Sequence, residues 1–305
     1  MSSSAAAKKT WTILELITWG TGYLTEKHID DARLTIELLL SHVLHFERIQ
    51  LYTKFDQPLT ETELAQFKEL LKRRLTNEPL QYILGSAEFM GLKFSVDRRV
   101  LIPRPETELL VEKALELVRP KTVTDSKYFI LDIGTGSGCI AVSMAKMIPA
   151  ATVDAMDIST DALEVAQKNA ELNGVTERIR FHHKDIFTSD GKTFPQKFHC
   201  ILSNPPYIST KEFSQVSKDV SEYEPNAALT DNANGLKYYP EIAHFAKEAL
   251  TDDGIVGVEH AYDQSEQVQE IFRDEGFTNA VIVKDYQGIK RHLFFVRGSV
   301  LGGEV

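Results

Sequence analysis

The 305-residue chain has only two cysteines, Cys139 and Cys200, too few for a disulfide scaffold. Neither stands in a Cys-x-x-Cys or Cys/His spacing that would hold zinc, so no metal and a reducing, cytoplasmic setting are expected. No apolar run reaches the roughly 18 residues of a membrane span, and no membrane partner is expected. The first ten residues, MSSSAAAKKT, lack the apolar stretch of a secretion signal and read as a loose polar tail. An excess of positive charge is missing too: 34 Lys and Arg stand against 44 Asp and Glu, a formal charge of −10. Residues 1–90 carry −2 of this and residues 91–305 carry −8, which makes the larger part a poor grip for duplex phosphates; no stable nucleic-acid binding is expected. The basic run Lys72-Arg73-Arg74 reads better as cations complementing a helix C-terminus than as a phosphate contact.

What is present is a 43% hydrophobic fraction, enough for a large core and two domains. Flexible tails are expected at 1–9 and 299–305. Residues 10–80 show helical periodicity only and predict a small helical domain. Thr10 can cap a helix with Ile13, Leu14, Leu16 and Ile17, and Asp30 or Asp31 can open one with Leu34, Leu38, Leu39, Val43 and Leu44. Thr60-x-x-Glu63 is a capping box ahead of Leu64, Phe67, Leu70, Leu71 and Leu75. Trp11 and Trp19 read as core or docking residues.

Residues 81–105 read as a connector. Within it, Glu88 to Val96 predicts a hairpin turning near Gly91, and Pro103 and Pro105 enforce an extended path before a helix through Leu109, Leu110, Val111 and Leu115. Over residues 106–298 strands alternate with helices. The strands are expected at Phe129 to Asp132, Thr152 to Met156, Ile179 to His183, Cys200 to Ser203, Ile255 to Glu259, Ala280 to Val283 and Leu293 to Val296. The last two are too close for a crossover helix and should pair antiparallel. This α/β pattern resembles the seven-stranded, Rossmann-like outline of class I S-adenosylmethionine-dependent methyltransferases, though an outline alone establishes no activity.

The first of these strands runs into Gly134-Thr135-Gly136-Ser137-Gly138, followed by helical periodicity. Glycines here let a ligand lie against the main chain at a helix N-terminus. A dinucleotide fingerprint needs glycine at 139, where this chain has Cys139, which argues against a nicotinamide or flavin enzyme. Asp157 closes the second strand and can accept both ribose hydroxyls of an adenosine ligand. Asp185-Ile186 ends the third, where a polar group and an apolar wall can bracket an adenine ring, or where Asp185 simply caps a turn. The fourth delivers Asn204-Pro205-Pro206-Tyr207. Consecutive prolines stiffen this segment, so the Asn204 side-chain oxygen and the Pro205 carbonyl can converge on one planar NH2 group, with Tyr207 offering a stacking face.

Asn204-Pro-Pro-Tyr207 with Gly134-x-Gly-x-Gly138 matches methyltransferases acting on planar nitrogen. Three further elements decide among them: Pro79-Leu80-Gln81-Tyr82-Ile83-Leu84-Gly85, the stretch Leu101-Ile102-Pro103-Arg104-Pro105-Glu106-Thr107-Glu108, and Glu224-Pro225 with Gly235-Leu236. Together they closely resemble the PrmC (HemK) family of peptide chain release factor glutamine methyltransferases, over nearly everything from residue 10 to Arg297. Ala261, where a glycine is more usual, departs from the pattern at a place expected to lie away from the site. The resemblance implies methyl transfer from S-adenosylmethionine to the glutamine N5 of the Gly-Gly-Gln loop of release factors, with the helical domain docking the factor's body. The alternatives are an adenine-N6 methyltransferase of DNA or RNA, a glutamine methyltransferase acting on a ribosomal protein, and a catalytically idle cofactor-binding module.

Overall fold

A computed structural model describes residues 10–122 and 127–297; the tails expected at 1–9 and 299–305 lie outside the described residues. The chain divides into two units, Met1–Leu84 and Gly85–Val305.

The first unit is helical: α1 (Ile13–Glu26), α2 (Ala32–Leu44), α3 (Arg48–Thr53), α4 (Glu61–Leu75) and α5 (Leu80–Leu84). Its core collects the apolar stripes, with Ile13, Leu24, Ile36, Leu39, Leu40, Leu51 and Phe67 fully buried. The cap of α1 is Thr12 rather than Thr10, because only Thr12 has a glutamate three residues on, and Glu15 closes the capping box. Asp31 occupies the N-cap of α2 with φ 50° and makes no side-chain cap bond. Thr60 and Glu63 form the expected box on α4. At its other end Arg73 forks onto both oxygens of Glu78, and Arg74 donates to the Glu78 carbonyl, so these cations bond within the unit. Trp19 is half-exposed and stacks on Tyr23 at 5.3 Å.

The second unit opens with the hairpin β1 (Ser86–Phe89) and β2 (Leu92–Ser95), turning through Met90 and Gly91, both at positive φ. The stretch expected as a separate connector is therefore split: residues 85–105 fold with this unit. Two bonds show why. Asn169 clasps the Ser95 backbone from both sides, and Glu224 accepts the Ile102 N–H at 3.1 Å. Helix α6 (Pro105–Thr122) starts on its proline, whose missing N–H is no loss at a first helical position.

The chain then alternates: β3 (Tyr128–Ile133), α7 (Cys139–Met147), β4 (Ala151–Asp157), α8 (Thr160–Leu172), β5 (Ile179–His183) and β6 (Phe198–Ser203). Short helices α9 (Thr210–Phe213), α10 (Lys218–Ser221) and α11 (Asn226–Leu229) precede α12 (Tyr238–Ala249), β7 (Leu250–Glu259), α13 (Ser265–Asp274), β8 (Ala280–Lys284) and β9 (Lys290–Val296). The seven-stranded sheet has the order β5-β4-β3-β6-β7-β9-β8. Its first five strands are parallel, and β9 runs antiparallel to both β7 and β8, as the short β8–β9 connection requires. Strand order reverses between β3 and β6, and the crevice at such a switch point is where ligands of open α/β sheets bind.

Candidate active site

The candidate residues read from the sequence sit at or just past the carboxyl ends of parallel strands. The loop after β3 holds Gly134 and Gly136 at φ 73° and 54°, and a Cβ on either would meet no side chain. These positions present bare backbone to a cavity of about 330 Å³. Thr135 and Ser137 line it as well, as do Asp157, Asp185, Ile186, Asn204, Pro205 and Pro206. Ten of the twelve candidate site residues read from the sequence thus share one cavity wall.

Gly138 and Tyr207 are not on that wall. Gly138 is the N-cap of α7, and a Cβ there would sit 3.0 Å from the Ala166 Cβ, so its bareness serves the packing of α7 on α8. Tyr207 was expected to offer a stacking face. Its hydroxyl donates to Glu259 Oε1 at 3.2 Å, and its carbonyl accepts from Gln264 Nε2 at 3.0 Å. Burial, reinforced by the Glu259 charge, raises the pKa of its phenol, so Tyr207 is a neutral donor.

The loop is braced by the protein's own hydrogen bonds. Asp157 accepts the Gly136 N–H on Oδ2 and the Ser159 N–H on Oδ1, both at 2.9 Å. A carboxylate has about four lone-pair sites, so each oxygen keeps capacity for a further donor. Burial pushes the Asp157 carboxyl above its ordinary range, against the pull of these N–H groups. Asp185 caps the turn after β5 by accepting the Phe187 N–H on Oδ1, and it also lies on the cavity wall.

Two braces were not anticipated. Asp132, wholly buried, accepts from Thr135 Oγ1 at 2.6 Å and from the Ala141 N–H at 3.2 Å, tying the loop to the start of α7. Burial pushes its carboxyl up to about 7. Asn169 on α8 donates to the Ser137 carbonyl at 2.8 Å while holding β2. A polar residue in an otherwise apolar helical stripe was the available signal for Asn169.

At the Asn204 end, Nδ2 donates to Thr107 Oγ1 at 3.1 Å, and Thr107 donates to Glu259 Oε2 at 2.7 Å. Neither Asn204 Oδ1 nor the Pro205 carbonyl accepts a hydrogen bond among the described residues. Two open acceptors on adjacent residues of a stiff segment suit a group carrying two hydrogens on one atom. The other family-like elements have structural reasons. Arg104 pairs with the buried Glu224, which also holds the Ile102 backbone. Gly235, at φ +86°, passes so close that a Cβ would fall 2.5 Å from both Gln264 Nε2 and the Tyr207 carbonyl. Ala261 donates its N–H to Gln264 Oε1, so it is one residue removed from the Asn-Pro-Pro-Tyr segment rather than remote from it.

The chain is similar to known methyltransferases. The PrmC N-terminal domain model matches residues 15–85, and the methyltransferase small domain model matches residues 107–223. A release factor glutamine methyltransferase of Chlorobaculum tepidum is 41% identical over 288 residues, covering 94% of this chain and 97% of its own. The Geobacter sulfurreducens protein of the same name is 42% identical over 295 residues, covering 97% of each. Among solved structures, the hMettl16 catalytic domain in complex with a MAT2A 3'UTR hairpin shares the fold at a TM-score of 0.56 and 14% identity, covering 93% of this chain and 95% of that one. Among the described residues no helix is long and apolar enough to cross a membrane.

Proposed function

The chain belongs to the family of release factor glutamine methyltransferases, and we propose that it methylates the side-chain amide nitrogen, N5, of the glutamine in the Gly-Gly-Gln motif of peptide chain release factors, in the cytoplasm, with S-adenosylmethionine as donor. The observation that carries this reading is the pair of unbonded acceptors, Asn204 Oδ1 and the Pro205 carbonyl, on the wall that also holds the glycine loop and Asp157.

The cavity chemistry suits that donor. Gly134 and Gly136 leave backbone bare where a Cβ would project, Asp157 retains lone pairs for vicinal hydroxyls, and Asp185 with the buried Ile186 offers a polar and an apolar edge. S-adenosylmethionine, when bound, supplies an electrophilic methyl carbon on a sulfonium sulfur.

The protein's own part is to aim a weak nucleophile. An amide nitrogen has its lone pair delocalised into its carbonyl, so it must be aimed accurately at the electrophile. Asn204 Oδ1 and the Pro205 carbonyl would each accept one N–H, fixing the nitrogen's position and the plane of its lone pair. Positioning of this kind is effective at separations of about 3–3.5 Å, and small misplacement costs on the order of 10²-fold. Pro206 stiffens the segment, and Tyr207 anchors its far end to Glu259. The helical unit would dock the factor's body, a role supported by the exposed Leu14 and Trp19 on α1.

The test is incubation of the protein with labelled S-adenosylmethionine and an unmodified release factor, followed by mapping of the label. Label on the Gly-Gly-Gln glutamine is expected. Label confined to adenine of added RNA or DNA, to a ribosomal protein, or to no acceptor at all would overturn the proposal.

A further inference from the structure

Resting on the reading that Asn204 holds the acceptor amide, we infer that Thr107 and Glu259 are positioning residues that set the polarity of the Asn204 side chain, so that its oxygen and not its nitrogen faces the substrate. The hydrogen-bond chain from Asn204 through Thr107 to Glu259 runs in one direction only. A carboxylate has no hydrogen to give, so the single hydroxyl hydrogen of Thr107 goes to Glu259. Thr107 can then only accept, and only the NH2 end of Asn204 can meet it.

The reverse orientation would set Oδ1 against a hydroxyl lone pair and turn the NH2 toward the two N–H groups of the acceptor. The first mismatch falls where water cannot repair it: Thr107 and Glu259 are each 2% exposed. The carbonyl and NH2 ends of an amide are nearly equal in shape, so packing alone does not choose between them. A hydrogen-bond partner of fixed direction does. Glu259 is also the terminus for Tyr207, whose hydroxyl donates to the other carboxylate oxygen. The first and last residues of the four-residue segment therefore end on one buried carboxylate, Asn204 through Thr107 and Tyr207 directly. Thr107 lies on α6 and Glu259 at the end of β7, 152 positions apart, and His292 Nε2 stands 3.4 Å from the same oxygen, Glu259 Oε2.

Four variants of the full chain test this. Wild-type labelling of the release factor, lost in Asn204→Ala, first establishes the underlying reading; its absence would be a failure of that reading and not of this one. Thr107→Val keeps the shape and removes the hydroxyl. It is expected to lower kcat on the order of 10²-fold and to leave cofactor affinity within about 2-fold, the pattern of a group acting on the transferring complex. Thr107→Ser restores the hydroxyl and should recover kcat to within about 3-fold. On the Asn204→Ala background Thr107→Val should remove less than about 3-fold more, because its effect passes through Asn204. Should valine prevent cofactor binding, Thr107→Ala is read in its place. Near-normal kcat in Thr107→Val, no recovery in Thr107→Ser, or a full additive loss on the Asn204→Ala background overturns the inference.

Discussion

The Gly136 backbone N–H donates to Asp157 Oδ2 at 2.9 Å, joining the glycine loop to the acid that closes the neighbouring strand, 21 positions away. Asp157 thus shapes the glycine loop and lines the cavity beside it. Asp157→Ala is expected to weaken S-adenosylhomocysteine binding by about 10²-fold, since hydrogen bonds to a charged acceptor contribute roughly 1.5–3 kcal/mol each. Asp157→Asn, with one acceptor oxygen left, should fall between. Burial raises the Asp157 carboxyl, and a protonated acid loses acceptor capacity, so wild-type affinity should decline on acidification at a higher pH than an exposed aspartate would give. Calorimetric titration across the acid range measures both; an Asp157→Ala protein with unchanged affinity contradicts the assignment.

Asn204→Ala removes one of the two open acceptors while leaving the glycine loop and Asp157 intact. Cofactor affinity should stay within about 3-fold, and transfer should fall by about 10²-fold, since an unpartnered buried donor costs roughly 1–3 kcal/mol. Single-turnover labelling of a release factor at saturating cofactor separates the two effects. Near-normal turnover would remove Asn204 from the mechanism.

Gly235→Ala should loosen the segment from behind. The added methyl would strike both ends of the Gln264-to-Tyr207 bond, at a φ that side chains rarely adopt. Strained backbone of this kind costs about 1–3 kcal/mol per residue before the clash is counted. A lower unfolding midpoint together with a lower kcat is expected. Gln264→Ala, which removes the bridge without the clash, should lose kcat with a smaller loss of stability.

The legibility of the molecule follows the range of the interactions involved. Strand cores such as Ile130-Leu131 and Cys200-Ile201-Leu202 are apolar runs and visible as such, but β7 begins at Leu250, ahead of the polar Thr251-Asp252-Asp253, because Leu250 pairs with Phe198. Thr10 and Thr12 look alike as caps until Glu15 is counted. In the site, the glycine loop, Asp157, Asp185 and Asn204 each follow their own strand end, so a local pattern finds them. Thr107, Glu259 and Asn169 act through partners 97, 152 and 74 positions distant, and no local spacing carries that information. Tyr207 shows the same gap: the ring suggested stacking, and the partner of its hydroxyl lies 52 positions away.

Asp132 gives the loop a pH signature separate from catalysis. Its carboxyl is raised to about 7, first by burial, with Asp157 adding to it and the bonds from Thr135 and Ala141 opposing. In the unfolded chain an aspartate titrates near about 3.9. A group raised in the folded state contributes stability that is fully present below the unfolded value and is lost as pH rises through the folded one. The contribution of Asp132 should therefore shrink from about pH 4 to about pH 7 and stay constant above, a loss on the order of a few kcal/mol at 1.36 kcal/mol per unit. Asp132→Asn has no such titration. It keeps an oxygen for Thr135 and the Ala141 N–H, and places NH2 where Oδ1 has no partner. The difference in unfolding midpoint, variant minus wild type, should rise steadily from pH 4 to pH 7 and then level off. A difference that stays flat over that range would mean that Asp132 remains ionised within the fold, and that the loop is held by a charge and not by a neutral acid.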